Sequence, residues 1–503
     1  CIINMNNGTE QNVKQLRRTK SVACAEEIQK QETQLRSAQP DKPCHKPRDS
    51  LFSWSSGFGN FTGFVNWAFL LLFMGGTRLF LENLINVFSR YGIRVDPEQW
   101  LIVLTGRKEG GPEHPSLVLL FYAVVPALTA LYIEKGMAFH IISQQVGMIA
   151  HVVNITILVL IPMVLIHSYS TLFSLIGASA VCFEYSILFL KLWSYAHTNA
   201  WCRNDSKTRA FIKSHVRRQS LFFNNAGKQR LAATANMQFS GYCAESKIVV
   251  YPNNLNVRDL FYFLFAPTLC YELNFPRTGR IRKRFLVKRL LEVLIGLQVL
   301  ASLFQQWIIP SVKNSLIPFS NMEPAKATER LLKLSIPNHL VWLIFFYLLF
   351  HSLLNLVGEI MHFADRNFYL DWWNANNIDT FWRSWNAPVH KWAVRHLYLP
   401  LIEKGFSRNV ATLLVFFLSA FFHEYLVSVP LRTYKVWAFA GMMAQIPLSM
   451  FCHQVEIRFG QRWGNIIVWA SLILGQPLCI MMYYHDYVIT HFGQSLLDKY
   501  GHA

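Results

Sequence analysis

The chain has 503 residues, of which 52% are hydrophobic and 15% aromatic, and only 15% are charged. Soluble domains carry about 25% charged residues, so a string of soluble domains is excluded as its main content. The formal net charge of +19 is spread over segments between apolar runs. That pattern argues against a nucleic-acid binder and for a membrane protein with positive cytoplasmic loops, or one that handles an anionic substrate.

Residues 1–50 are polar and lack apolar periodicity. The stretch "QKQETQLRSAQPDKPCHKPRDS" reads as a disordered cytosolic N-terminal tail. The body, 51–487, is expected to be all-α and membrane-embedded. Nine apolar stretches approach the ~20 residues that cross a bilayer core: 64–87, 117–133, 143–167, 171–193, 290–309, 338–361, 411–430, 436–453 and 464–484. The strongly basic segment 194–285 belongs in the cytosol by the positive-inside rule, which puts the N-terminus there too. With nine crossings, a short C-terminal tail, 488–503, faces the lumen.

Nine cysteines occur, with no CxxC pair and no Cys/His grouping at zinc spacing. They read as reduced and structural; no metal and no cofactor is expected. The segment 363–408 carries Trp372, Trp373, Trp382, Trp385 and Trp392. Trp favours the water–lipid boundary, so this segment is expected to be interfacial and to line an entrance.

His423 and Glu424 stand side by side inside an apolar span, "SAFFHEYLVSVP". An ionisable group at that depth costs several kcal/mol, roughly 2.5–3.5 on insertion scales. His423 is either a bonded packing histidine or a proton acceptor. Its place in a span favours the second reading. Glu424 points about 100° away and either tunes the site or bonds a neighbouring helix. Asn386, two residues before Pro388, is either a turn residue or a group that orients a reactive histidine or donates to an oxyanion. Gln445 and Gln476 are amides in spans that either bond across helices or line a polar chamber. His390 in the aromatic segment either meets an anionic ligand or is an interface charge.

"FYLDWWN" (368–374), "WNAPVHKW" (385–392) and "SAFFHEYLVSVP" (419–430) resemble the signatures of the membrane-bound O-acyltransferase family, in its sterol and diacylglycerol branch. The likeness covers about residue 50 to about 487. It implies a helical bundle around an intramembrane reaction chamber, with nine transmembrane helices. It implies direct acyl transfer from acyl-CoA, a co-substrate rather than a cofactor, to the hydroxyl of diacylglycerol. The alternatives are a sterol, retinol or wax-alcohol acceptor or, outside the family, a transporter. His423 would be the general base, with Asn386 and Glu424 beside it. Phe368, Tyr369, Asp371 and Asn374 would form the acyl-CoA motif. Trp372, Trp373, His390, Tyr398 and Arg408 would line the CoA entrance, Ser419 would contact the thioester arm, and Met442, Gln445 and Gln476 would line the chamber. Partners would be acyl-CoA, diacylglycerol, membrane lipids and a second copy or more in a homodimer or homotetramer, with the N-terminal segment involved, in the endoplasmic reticulum membrane.

Overall fold

The computed structural model describes residues 40–41, 44–46, 48–52, 59–64, 66–67, 70–71, 74, 115–169, 172–222, 249–314 and 324–492, with the backbone alone at 206–222, 313 and 491–492. Among the described residues there is no β-strand; two isolated bridges pair Arg48 with Asp365 and Arg277 with Phe363. Two compact units are present. One comprises Pro47–Ala196, Leu255–Tyr271 and Arg277–Ala503; the other comprises Cys1–Lys46, His197–Asn254 and Glu272–Pro276.

The principal helices among the described residues, in chain order, begin with α1 Pro115–Tyr122, α2 Val124–Ala138, α3 Gln144–Ser168 and α4 Leu175–Phe222. Next come α5 Val257–Phe265, α6 Lys283–Leu303, α7 Pro324–Phe346, α8 Ile378–Trp385 and α9 Ala387–Ala393. The last four are α10 Arg408–Leu431, α11 Trp437–Met443, α12 Gln445–Phe459 and α13 Gln461–Phe492. Within the larger unit α2 packs on α3, α7 and α12 on α13, and α10 on α11 and α3.

Among the described residues six stretches are long and apolar enough to cross a membrane: Pro115–Ala138, Gln144–Ser168, Leu175–Asp205, Pro324–Ile360, Arg408–Leu431 and Gln461–Thr490. The chain is a multi-pass membrane protein. These six cover six of the nine expected crossings. Most of the expected crossing 64–87 lies outside the described residues. The stretch 290–309 is helical, inside a continuous run from Lys283 to Lys313, but is not among the six.

The stretch 436–453 is broken into α11 and α12 at Ala444. Pro447 accounts for the break: it has no N–H to offer the carbonyl of Met443, and its ring collides with that carbonyl. Two other helices absorb a proline differently. Phe304–Ile308 and Val394–Tyr398 widen into π-turns just ahead of Pro310 and Pro400.

α4 continues well past the expected end of its span at 193; 194–222 holds no Gly or Pro to stop it. At the other end α13 runs to Phe492, into the segment expected to be tail.

Part of the aromatic segment is packed inside the protein: Trp392 is buried with Trp372 and Trp373, and Trp382 and Trp385 are half-buried. Phe368, Tyr369, Trp372 and Trp373 are core residues, with Trp372 1% and Trp373 0% exposed. Trp372 meets Trp342 edge-on at 5.1 Å and Phe346 at 5.0 Å, and Phe52 and Phe64 stack on Trp373 at 4.9 and 5.1 Å. Among the described residues the indole N–H groups of Trp372 and Trp382 are buried without a hydrogen-bond partner, whereas that of Trp392 donates to the Leu190 carbonyl at 2.7 Å. Trp373 donates to the Asn60 carbonyl at 3.0 Å, and Trp469 donates to the Trp373 carbonyl at 3.2 Å.

Candidate active site

α10 carries the reactive candidates. Ser407 caps its start by accepting from the Val410 N–H at 3.3 Å, and Arg432 ends it in the left-handed conformation, φ +55°. On it, the His423 Nδ1 lies 2.8 Å from the carbonyl oxygen of Ser419, one turn back. A carbonyl only accepts, so Nδ1 carries the proton and Nε2 keeps its lone pair. The Ser419 hydroxyl, half-buried, lies 3.5 Å from the same nitrogen. His423 is exposed.

Glu424 points elsewhere, as its helical offset requires. Its Oε2 accepts from the Phe439 N–H at 2.9 Å, and its Oε1 accepts from the Tyr483 hydroxyl at 2.6 Å and from the Ser428 hydroxyl. The Tyr483 oxygen in turn accepts from the Ala438 N–H at 3.0 Å. The carboxylate thus takes one first-turn N–H of α11, that of Phe439, near the positive end of the helix dipole, and ties α10 to α11 and α13. Glu424 bonds its neighbouring helices; Ser428 lies at i+4 on the same helix face, a spacing readable in the sequence, whereas Tyr483 is remote in the chain and carried no such signal.

Asn386 caps α9: its Oδ1 accepts from the Val389 N–H at 3.2 Å. Its Nδ2 has no partner among the described residues. His390 is half-buried; burial and the nearby Arg383 hold its pKa below the usual histidine value, so it is neutral at cytosolic pH and offers an anion no charge. Its neighbour Lys391 pairs with Asp365 at 3.0 Å. Tyr398 is half-buried and Arg408 exposed. Trp372 and Trp373 leave no surface for a ligand, so the structure removes them from the CoA-entrance wall.

Met442 is buried. Gln445 donates to the Gly441 carbonyl at 3.3 Å within its own chain turn, and Gln476 accepts from Asn338 across α13 and α7 at 3.4 Å. No hydrogen bond joins either of these amides, or Asn386, to His423 among the described residues.

The FYLDWWN segment is a hub. Phe52 N–H and the Ser50 hydroxyl donate to the Tyr369 oxygen at 3.2 and 3.1 Å, and the Tyr369 hydroxyl donates to His351 Nδ1 at 2.8 Å. Burial raises the Tyr369 pKa, keeping that donor protonated. Asn374 Oδ1 accepts from the Gly63 N–H at 2.7 Å, and its Nδ2 donates to the Asn60 carbonyl at 2.8 Å. Asp371 lies 3.4 Å from the same amide. Asn465 donates to the carbonyls of Trp373 and Ala375 at 3.0 and 2.8 Å. Phe368 packs in the core beside them. These contacts fasten Ser50, Phe52, Asn60 and Gly63, the motif and α13 together.

A profile described as MBOAT, membrane-bound O-acyltransferase family, matches residues 138–485. The chain belongs to the membrane-bound O-acyltransferase family. Its matched span contains the FYLDWWN hub, Asn386 and the whole of α10. Among similar proteins, diacylglycerol O-acyltransferase 1 of Bos taurus is 46% identical over 451 residues, covering 90% of this chain and 86% of the relative. The Homo sapiens protein of that name is 47% identical over 452 residues, covering 89% and 85%. Diacylglycerol O-acyltransferase 1A of Glycine max is 36% identical over 451 residues, covering 89% and 82%.

Proposed function

We propose that this membrane-bound O-acyltransferase makes triacylglycerol, moving an acyl group from acyl-CoA to the free hydroxyl of diacylglycerol. The observation that carries the mechanism is the His423 Nδ1 bond to the Ser419 carbonyl at 2.8 Å. It fixes the tautomer in which Nε2 is a proton acceptor. Nε2 takes the hydroxyl proton as the alcohol oxygen attacks the thioester carbonyl. The tetrahedral oxyanion collapses, the C–S bond breaks, and the imidazolium returns the proton to the CoA thiolate. The Asn386 Nδ2 is the donor offered to the oxyanion. Glu424 holds α10 in place. No acyl-enzyme is involved.

The substrate path uses Tyr398, Arg408 and neutral His390 on the cytosolic side, Ser419 beside the thioester, and Met442, Gln445 and Gln476 on the chamber wall. Phe368, Tyr369, Asp371 and Asn374 act as a scaffold under the CoA site. The fold carries nine crossings in the endoplasmic reticulum membrane, with the N-terminal side cytosolic and the C-terminal side luminal. Chains assemble as a homodimer or homotetramer in which the N-terminal segment takes part.

Purified protein given labelled acyl-CoA with diacylglycerol, cholesterol or a long-chain alcohol tests the acceptor. Labelled triacylglycerol as the main product is the expected result. Steryl or wax ester alone overturns the acceptor; no ester, with solute flux across vesicles, overturns the enzyme.

A further inference from the structure

Within the smaller unit, residues 44–46 lie against 272–276. Glu272 and His45 are buried and Cys44 is half-buried. One ligand atom from each of the three lies within 4.8 Å of the others. Thiolate, imidazole and carboxylate together form a donor set suited to zinc.

The local frame is built. Glu272 Oε1 accepts from the backbone N–H groups of Cys44 and, at 2.7 Å, His45. One residue on, the Leu273 N–H donates to the buried Asp41 carboxylate at 3.0 Å. The His45 ring rests against Phe275 at 5.7 Å, and Asn274 bonds both ways with Val249 at 2.9 Å. Hydrogen bonds that orient a carboxylate are the usual support of a metal ligand. The His45 Nε2 stands 4.0 Å from Glu272 Oε1, too wide for a direct hydrogen bond.

We propose that Cys44, His45 and Glu272 bind one zinc ion, with water as the fourth ligand. In a tetrahedral site with Zn–S near 2.3 Å and Zn–N or Zn–O near 2.1 Å, neighbouring donors are about 3.4–3.6 Å apart. Closing the cluster therefore asks for side-chain shifts of about 1 Å. A thiolate and a carboxylate balance the charge of Zn²⁺, and the partly exposed Cys44 side gives the ion its way in. The ion staples the N-terminal segment to residues 228 positions later in the chain. No sequence motif marks such a site, because two ligands are adjacent and the third is remote.

The test uses tag-free full-length protein in detergent micelles, stripped with a chelator, dialysed against zinc chloride and washed. Elemental analysis should find about one zinc per chain. Cys44→Ser and Glu272→Gln should each reduce this to near zero, and Cys479→Ser should not. Cobalt(II) should give a thiolate charge-transfer band in the wild type that Cys44→Ser lacks. Should a variant fail to fold, the wild type alone decides: zinc should slow alkylation of Cys44, read by mass spectrometry, at least tenfold. Zinc retained equally by the folded variants, no retained zinc, or an alkylation rate indifferent to zinc overturns the proposal.

Discussion

The hydroxyl of Tyr483 donates to the carboxylate of Glu424 at 2.6 Å, joining α13 to α10 across 59 residues of sequence. The same carboxylate takes the Phe439 N–H, so three helices meet at one side chain beside the proposed base. Removing either partner leaves a polar group unsatisfied in a crowded place, at a cost of about 1–3 kcal/mol. Tyr483→Phe and Glu424→Gln should each lower thermal stability in micelles. Their double-mutant cycle should show coupling of about 1 kcal/mol or more. Additive effects would mean that the bond does not hold the helices.

Trp373→Ala should act through folding. A fully buried indole that stacks on Phe52 and Phe64 costs about 3–5 kcal/mol to truncate. The expected result is a large loss of thermal stability and of folded yield, with the KM for acyl-CoA little changed in whatever protein survives. A raised KM with unchanged stability would return Trp373 to the CoA wall.

Gly63 is a sharper probe of the same hub. A Cβ there would lie 1.5 Å from the Trp373 carbonyl oxygen, a backbone atom that cannot swing aside, whereas one on Gly59 meets nothing within 4 Å. Gly63→Ala should lower both thermal stability and transferase activity. Gly59→Ala should match the wild type, and equal behaviour of the two would refute the close approach.

Asp259 gives a pH dependence outside the spans. Burial raises its pKa from 3.8 to about 6, opposed by the Tyr271 hydroxyl that donates to it and by Arg277. The folded form therefore holds a proton that the unfolded chain has lost between about pH 4 and 6. Its contribution to stability falls as pH rises through that window. Asp259→Asn should flatten this part of the stability–pH curve relative to wild type. Identical slopes in a matched thermal series would remove Asp259 from the account.

The sequence made the apolar spans and the His423–Glu424 pair legible, because hydropathy is local and an ionisable pair in a span stands out. Other features were not readable, each for a physical reason. Pro447 breaks 436–453 into two helices, yet membrane helices often tolerate proline, so its presence alone decided nothing. An indole has the same composition at an entrance as in a core, so the sequence does not reveal that Trp372 and Trp373 are sealed by Phe52, Phe61, Phe64 and the α7 residues Trp342 and Phe346. Partnerships such as Glu424 with Tyr483, or Cys44 and His45 with Glu272, join residues far apart in the chain. They become visible only when the helices are packed.

The base role of His423 is tested most directly by the rate of triacylglycerol formation from labelled acyl-CoA and diacylglycerol in purified His423→Ala, beside wild type of equal thermal stability. A positioned base contributes about 10²–10⁴-fold, so the variant should fall by at least a hundredfold while remaining membrane-inserted and folded. Turnover within tenfold of wild type would contradict the mechanism.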